Sequence, residues 1–359
     1  MSIGSGRQRG IAVITAMLVV TIATILAVEI AWQTNLDVRR TEGLFAWEQA
    51  REVGLGAEIG FATRFQEALD ERSGNPLTYS RKAEFVACGD GLSFTFDVGE
   101  VKGAGSMTGY VCDLQGRFNL NNLYAGGQRQ QAIREQFARL LRAVAAIDER
   151  MADADIDKIA DSTLDWLDGD TGPEGAGAED DIYSSREPAY VTGNFWFTTA
   201  SEWRAVDGVD ANVYAAMRPY LAALPPSQKP TLLNVNTASI PLYASLGDNV
   251  PAEQWFEDSK VEDFTDNTRF AADIEPALLA TIGFDSEYFG LEGVITLGTT
   301  QLGMYSLLRA TGQAVVPLQR SFGAVDLRPV TEDEEEADGD EDDEGSDDGE
   351  EPVNLSDLQ

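Results

Sequence analysis

The apolar run IAVITAMLVVTIATILAV, from Ile11 to Val28, directly follows Arg7-Gln8-Arg9-Gly10, and no small-residue cleavage site comes after it. An ordinary secretory signal has a basic start, a shorter apolar stretch and a cut beyond that stretch. Here the processing point the sequence offers lies before the run, between Gly10 and Ile11. Cleavage there removes residues 1–10 and leaves a mature chain that still begins with a membrane helix; an uncleaved signal anchor is the competing reading of this segment. Eighteen residues at 1.5 Å each give about 27 Å, close to the ~30 Å of a hydrocarbon core. Thr15, Thr21 and Thr24 are tolerable inside it because a helix lets their hydroxyls bond carbonyls of the preceding turn. Arg7 and Arg9 are expected to hold the short N-terminal side in the cytoplasm and to send everything after Glu29 across the membrane.

The helical pattern continues past the bilayer, with no proline until Pro76. It predicts a single rod from Ile11 to about Glu71, roughly 90 Å long. In its second half Phe45, Leu55, Ile59, Phe61, Phe65 and Leu69 recur largely at spacings of three and four, which predicts an apolar stripe lying along a globular domain. Gly54, Gly56 and Gly60 interrupt that half and mark a bend or close packing.

Charge and cysteine content exclude several chemistries. The chain has 26 Lys and Arg against 61 Asp and Glu, and no histidine. Histidine catalysis and His-ligated metals are therefore out, and two cysteines are too few for a cysteine zinc site. In an exported chain Cys88 and Cys112, which flank a predicted strand pair, are expected to form one disulfide, contributing ~3 kcal/mol. Sixteen of the acids fall between Glu332 and Asp357 with no basic residue among them. Such a run repels itself, so residues 329–359 read as a disordered acidic tail. The overall field opposes binding to phosphate backbones.

Between rod and tail two kinds of segment alternate. Strands are predicted at Leu92–Val98 and Gly109–Leu114, and two or three more in the block YFGLEGVITLG, TQLGMYSLLRATG and QAVVPLQRSF, with Met304–Leu308 ambiguous between helix and strand. From about Gln128 to Gly283 the spacing is helical, with candidate N-caps at Ser201, Asp210, Asn236 and Asp273. The fold class is α+β: a long N-terminal helix, a small antiparallel sheet and a large inserted α-helical domain of helix-hairpin-helix character.

The densest internal acidic cluster is Asp165-Trp166-Leu167-Asp168-Gly169-Asp170, followed after a Gly/Pro turn by Glu179-Asp180-Asp181. Closely spaced carboxylates on a bendable backbone suit calcium, which takes six to eight oxygens at 2.3–2.6 Å. The spacing is not that of an EF-hand. A solvated acidic loop is the competing reading, and no pair is singled out for glycoside hydrolysis. Two segments, AVDGVDANVYAAMRPYL and LLNVNTASIPLYASL, resemble helix-hairpin-helix elements. The hairpin of the first, Val206–Val209, has Asp207 and Asp210 in the neighbourhood where a phosphate-binding version carries basic residues, and the second lacks a matching glycine hairpin; a membrane-anchored nucleic-acid-binding module is the alternative function they suggest.

Taken in order along the chain, RGIAVITAMLVV, DLQGRFNLNNL, LDWLDGD with GAEDDIY, SEWRAVDGV and LLNVNTA resemble the minor pseudopilin K family of type II secretion, also called general secretion pathway protein K. The start matches the type III signal of pilin-like proteins. The resemblance implies a leader, residues 1–10, cut after Gly10 by prepilin peptidase, with methylation of the new amine of Ile11. It implies an N-terminal helix at 11–71, a pilin-like sheet domain at 72–127 and 284–328, and an inserted α-domain at 128–283. Some members bind calcium in that insert, which makes Asp165, Asp168, Asp170, Glu179, Asp180 and Asp181 the candidate ligands of a structural calcium ion. Most pilin-like subunits carry Glu at mature position five, whereas this chain has Thr15 there. A subunit with no neighbour ahead is better off without that buried carboxylate. The implied role is non-enzymatic: a single-pass inner-membrane protein with its bulk in the periplasm, joining other minor pseudopilins and the major pseudopilin at the filament tip, with no nucleic acid.

Overall fold

The computed structural model describes residues 6–71, 92–98, 101–311 and 314–323, the side chains of 6–11, 64–65, 67–71 and 92–104 excepted. Cys88, Phe65, Leu69 and the acidic tail lie outside what is described. Helix α1 runs unbroken over Gly6–Glu71, so Gly10 and Ile11 sit within its first turns. It is the one described helix long and apolar enough to cross a membrane, and none of its most apolar window is buried by the rest of the protein. As the sequence predicts, Thr15, Thr21 and Thr24 donate to the carbonyls of Ala12, Met17 and Val20 at 3.0, 2.8 and 2.8 Å.

Five antiparallel strands form one sheet in chain order: β1 (Leu92–Val98), β2 (Val101–Asp113), β3 (Tyr288–Leu297), β4 (Thr300–Thr311) and β5 (Ala314–Gly323). Met304–Leu308 is strand, because in β4 it pairs on both sides, with β3 and β5. Helix α1 lies on one face of this sheet. Only part of the predicted stripe is used there: Phe61 packs with Phe289 and Leu308, but Phe45 and Ile59 are 68% and 64% exposed, and the contact is made largely by Ala50, Val53 and Ala57 against Met107, Ile295 and Met304. Gly54 explains the close approach, since a Cβ there would sit 2.8 Å from the Met304 Sδ. Gly56 and Gly60 have open space around them and serve no such role.

Strands β2 and β3 are neighbours in the sheet but far apart in sequence, and the chain between them builds a helical layer. Its helices are α2 (Gln131–Ala145), α3 (Ile156–Leu167), α4 (Asp180–Tyr183), α5 (Ala211–Met217), α6 (Ile240–Ala244), α7 (Ala252–Val261) and α8 (Pro276–Leu279). All but α4 share one core around Phe137, Trp203, Tyr243, Trp255 and Phe270, and this core already includes Phe118, Leu120 and Leu123, upstream of residue 128. Asp210 caps α5 as predicted, accepting from the Val213 amide at 2.8 Å. The other three expected caps do not. Ser201 lies inside a 3-10 turn begun at Thr199, α8 starts after Glu275 rather than Asp273, and Asn236 is fully buried, bonding the carbonyls of Phe264 and Phe284.

The two passages between sheet and helical layer are joined by a buried carboxylate. Asp113, at the end of β2, accepts from the Gln115 amide, Asn234, Thr237 and Ser286 at 2.8, 3.0, 2.6 and 2.6 Å. Gln115 continues the junction: its side chain donates to the Leu232 carbonyl and accepts from the Glu287 amide.

Candidate metal centre

Helix α3 carries Asp161 and Asp165 four residues apart and ends at its C-cap, Asp168, three residues further on. That spacing aligns the three carboxylates on one face. All three are buried, Asp165 completely. The loop after α3 folds back over this face. The Glu174 amide donates to both Asp165 oxygens at 3.1 Å, and the Ala176 amide donates to Asp161 at 3.0 Å. Gly177 makes the wrap possible, because a Cβ there would fall 1.9 Å from an Asp165 oxygen.

The fold-back brings Asp168, Asp170 and Glu179 together, each offering a carboxylate oxygen within 4.8 Å of the others. Asp165 borders this set. Asp180 and Asp181 stand outside it. Asp180 opens helix α4 and accepts from the Thr192 amide and hydroxyl at 2.9 and 2.7 Å, which hold its carboxyl below the ordinary range. Asp181 is exposed on the same first turn.

One cation enters the cluster from a distant part of the chain. Arg129, from the short Tyr124–Arg129 hairpin, meets Asp168 at 2.7 Å, Asp170 at 3.2 Å and Asp165 at 3.8 Å, and also pairs with Glu174. Arg134 pairs with Asp161, but among the described residues Arg129 is the one cation paired with Asp165, Asp168 and Asp170, which leaves most of their negative charge and that of Glu179 uncompensated. Burial, joined by the charges of Glu179 and Asp168, pushes the Asp165 carboxyl up to about 7; burial, with Asp168, Asp170 and Asp180, does the same to Glu179. Both Glu179 oxygens are buried without a hydrogen-bond partner. Arg129 and Glu174 were not apparent in the sequence, since nothing local marks a cation that acts across a fold.

The other sequence-predicted sites fall elsewhere. Cys112 is disulfide-bonded and accepts a 3.4 Å contact from Arg117. The hairpin at Val206–Val209 is turned inward: the Asp207 amide donates to the Tyr183 hydroxyl at 3.0 Å, and its carboxylate takes Lys158 at 2.8 Å together with Arg186. Its amide and its neighbouring cations are thus already used, and nothing supports the nucleic-acid reading.

Comparisons with known proteins agree on one group. A family model described as type II secretion system protein K matches residues 116–226. The type II secretion system protein K of Pseudomonas aeruginosa is 30% identical over 247 residues, covering 68% of this chain and 70% of that protein. Its counterpart in Aeromonas hydrophila is 28% identical, covering 89% and 98%. Among solved structures, a chain of the GspK-GspI-GspJ complex from the enterotoxigenic Escherichia coli Type 2 Secretion System shares the fold with a TM-score of 0.60 at 22% identity, covering 80% of this chain and all of that one.

Proposed function

The chain belongs to the type II secretion system protein K family, and from that premise we propose that it is the minor pseudopilin at the tip of the secretion pseudopilus, where it initiates or caps the filament. The observation that carries this is the form of α1. Its first part is an apolar rod that the other described residues leave unburied, and among them its packing in the core of the sheet begins at Ala50. Rod packing between subunits in lipid rests on small residues such as Ala12, Ala16 and Ala23 and on van der Waals contact. Thr15 satisfies its hydroxyl within its own helix, so no carboxylate waits there for the amine of a subunit ahead. The large helical layer suits an end position, where nothing has to stack above it. The partners are other minor pseudopilins, as in the GspK-GspI-GspJ complex, and the major pseudopilin. The bulk of the chain lies in the periplasm, the anchor lies in the inner membrane, and no catalytic residue is involved.

Mass spectrometry of the membrane-extracted protein tests this reading. The expected result is an N-terminus at methylated Ile11, made by prepilin peptidase, in a particle that also contains two other minor pseudopilins. An intact Met1, a cut beyond Val28, or a protein that extracts alone would overturn it.

We further propose that Asp168, Asp170 and Glu179 hold a structural calcium ion, with Asp165 beside them. The support is the hard-oxygen donor set and the two buried, unpartnered Glu179 oxygens, which lack a positive partner of their own. Bound calcium would supply the charge that Arg129 alone does not. At a concentration one hundred times its Kd, calcium should raise the melting temperature by roughly 5–10 °C, reversed by chelator. The pH dependence follows from the raised carboxyls. Both titrate near 7, above their ordinary values, so without calcium the native state gains stability as pH falls from about 7 towards 4. Calcium needs the ionised forms, so its stabilisation should be larger at pH 8 than at pH 6. Glu179→Gln should raise the calcium-free melting temperature at pH 8 and abolish the calcium shift. An unchanged shift in that variant would remove Glu179 from the site.

A further inference from the structure

Beside the acidic loop, but lined by none of its carboxylates, an open cavity of about 620 Å³ lies between the Tyr124–Arg129 hairpin, the end of α3 and the 194–196 and 226–228 segments. That is the size of a small-ligand site. Its wall has no charged side chain, in a chain where 24% of residues are charged. The polar groups it presents are the Tyr124 hydroxyl, Asn194, Ser227 and Gln228, and among the described residues none of these side chains makes a hydrogen bond within the protein. Gly127 and Gly169 on the same wall have nothing within 4 Å of where a Cβ would stand, so their backbone is open to the cavity.

Phe195 and Trp196 flank this space, 50% and 40% exposed, with ring centroids 3.5 Å apart. Their exposure is imposed from beneath. Gly193 lies against the Trp166 ring, where a Cβ would come within 2.7 Å of the indole nitrogen, and Asn194 takes a left-handed turn at φ 44°. Phe197 is buried, stacked on Trp166, with its amide and carbonyl held by the Asn121 side chain at 2.8 and 2.9 Å. The segment is therefore anchored on both sides of two aromatic residues that the core does not take up. Burial of large rings is the ordinary outcome of folding, and rings held out over a cavity by fixed neighbours are typical of binding surfaces.

We propose that this cavity binds a neutral glycan, about one or two pyranose rings deep. The C–H faces of a pyranose pack on aromatic rings, whose faces carry partial negative charge. Its hydroxyls, each both donor and acceptor, match amide and hydroxyl side chains that offer the same pairing. An ionised ligand finds no counter-charge on this wall. A purely apolar segment would bury the Asn194, Ser227 and Gln228 groups unpaired, at a cost. The proposal rests on neither the calcium reading nor the place in the filament, although Gly169 on the wall stands between Asp168 and Asp170.

The test uses the full chain in a detergent without a sugar headgroup, titrated with chitotriose, cellotriose and maltotriose and followed by tryptophan fluorescence and calorimetry. Comparing the three distinguishes N-acetylglucosamine polymers of the envelope from glucose polymers met outside the cell. One of them should bind with an affinity unchanged between low and high salt. Trp196→Ala should weaken it at least about tenfold and Gln228→Ala several-fold, both with an unaltered circular dichroism spectrum. The proposal is overturned if none of the three binds, if Trp196→Ala binds as well as the parent, or if an acidic sugar binds better and in a salt-dependent way.

Discussion

Replacing Asp113 with alanine is expected to destabilise the protein by about 3–4 kcal/mol, lowering its melting temperature by roughly 10 °C. The carboxylate is buried and receives donors from four places: the Gln115 amide just beyond β2, Asn234 and Thr237 from the helical layer, and Ser286 on the return to β3. Burial raises its pKa, and the hydrogen bonds of Ser286, Thr237, Gln115 and Asn234 work against that rise. Alanine leaves all four donors without their acceptor in a site too enclosed for easy replacement by water. The two hydroxyls recover part of the loss by rotating, but the Asn234 amide and the Gln115 N–H do not. Asparagine at 113 should fall between, because its one carbonyl serves the three donors now on Oδ2 while its NH₂ then faces the Gln115 N–H. Thermal unfolding of the full chain in detergent, read from the near-ultraviolet signal of buried Trp203 and Trp255, measures both. A loss below 1 kcal/mol for the alanine variant would show that the junction does not depend on this residue.

That junction shows where sequence reading stops. DLQGRFNLNNL stands out in the sequence as a motif, yet nothing local says that its polar residues face inward. In the fold, Asn119, Asn121 and Asn122 bond the chain at Leu224, Phe197 and Thr231, more than seventy residues away. Buried amides of this kind satisfy the backbone of irregular segments, and only the completed fold tells which backbone needs them. The same holds for Asn236, which reads as a helix cap but spends its amide on two remote carbonyls. Periodic segments were legible because period is local: the rod, the two strand-rich blocks and the helical middle follow from spacing, although β2 begins at Val101 rather than at the predicted Gly109. The face of α1 was not, because a scan for apolar recurrence weights large side chains. A helix lying close on a sheet needs small ones at the contact, which here are Ala50, Gly54 and Ala57. Phe45 and Ile59 remain outside, in keeping with a helix that has further neighbours in an assembly.

The acidic loop was legible as a cluster and illegible as a site. Density of carboxylates along the chain identified Asp168, Asp170 and Glu179, which do converge, and Asp165, which borders them. It also included Asp180 and Asp181, which a helix start at residue 180 turns towards Thr192 and solvent. Local density takes no account of backbone direction. Nor does it register Arg129, whose placement depends on a hairpin docking beside α3.

Arg320→Ala is expected to cost about 3 kcal/mol and to loosen α1 from the sheet, because it strands a buried carboxylate at the centre of that contact. Glu58 is 1% exposed, on the helix face that meets β4 and β5. Arg320 grips it with three contacts of 2.7–3.0 Å, and Ser306 donates to it as well. Breaking a buried pair from one side costs about 3–5 kcal/mol. The guanidinium of Arg320 is partly open to water, which screens the pair and places the expectation at the lower end. Replacing both partners by leucine should recover most of the loss, since neither charge is then left alone, and Glu58→Gln should cost less than Arg320→Ala. A double-mutant cycle on thermal stability separates the pair's coupling from simple packing. If Arg320→Ala cost under 1 kcal/mol, or the double leucine variant were as unstable as the single, α1 would be held by Ala50, Val53, Ala57 and Phe61 alone. With the pair intact, α1 is fixed against β4 and β5 at one point along its axis, so that pull on its apolar first part is carried into the sheet instead of sliding the helix across it.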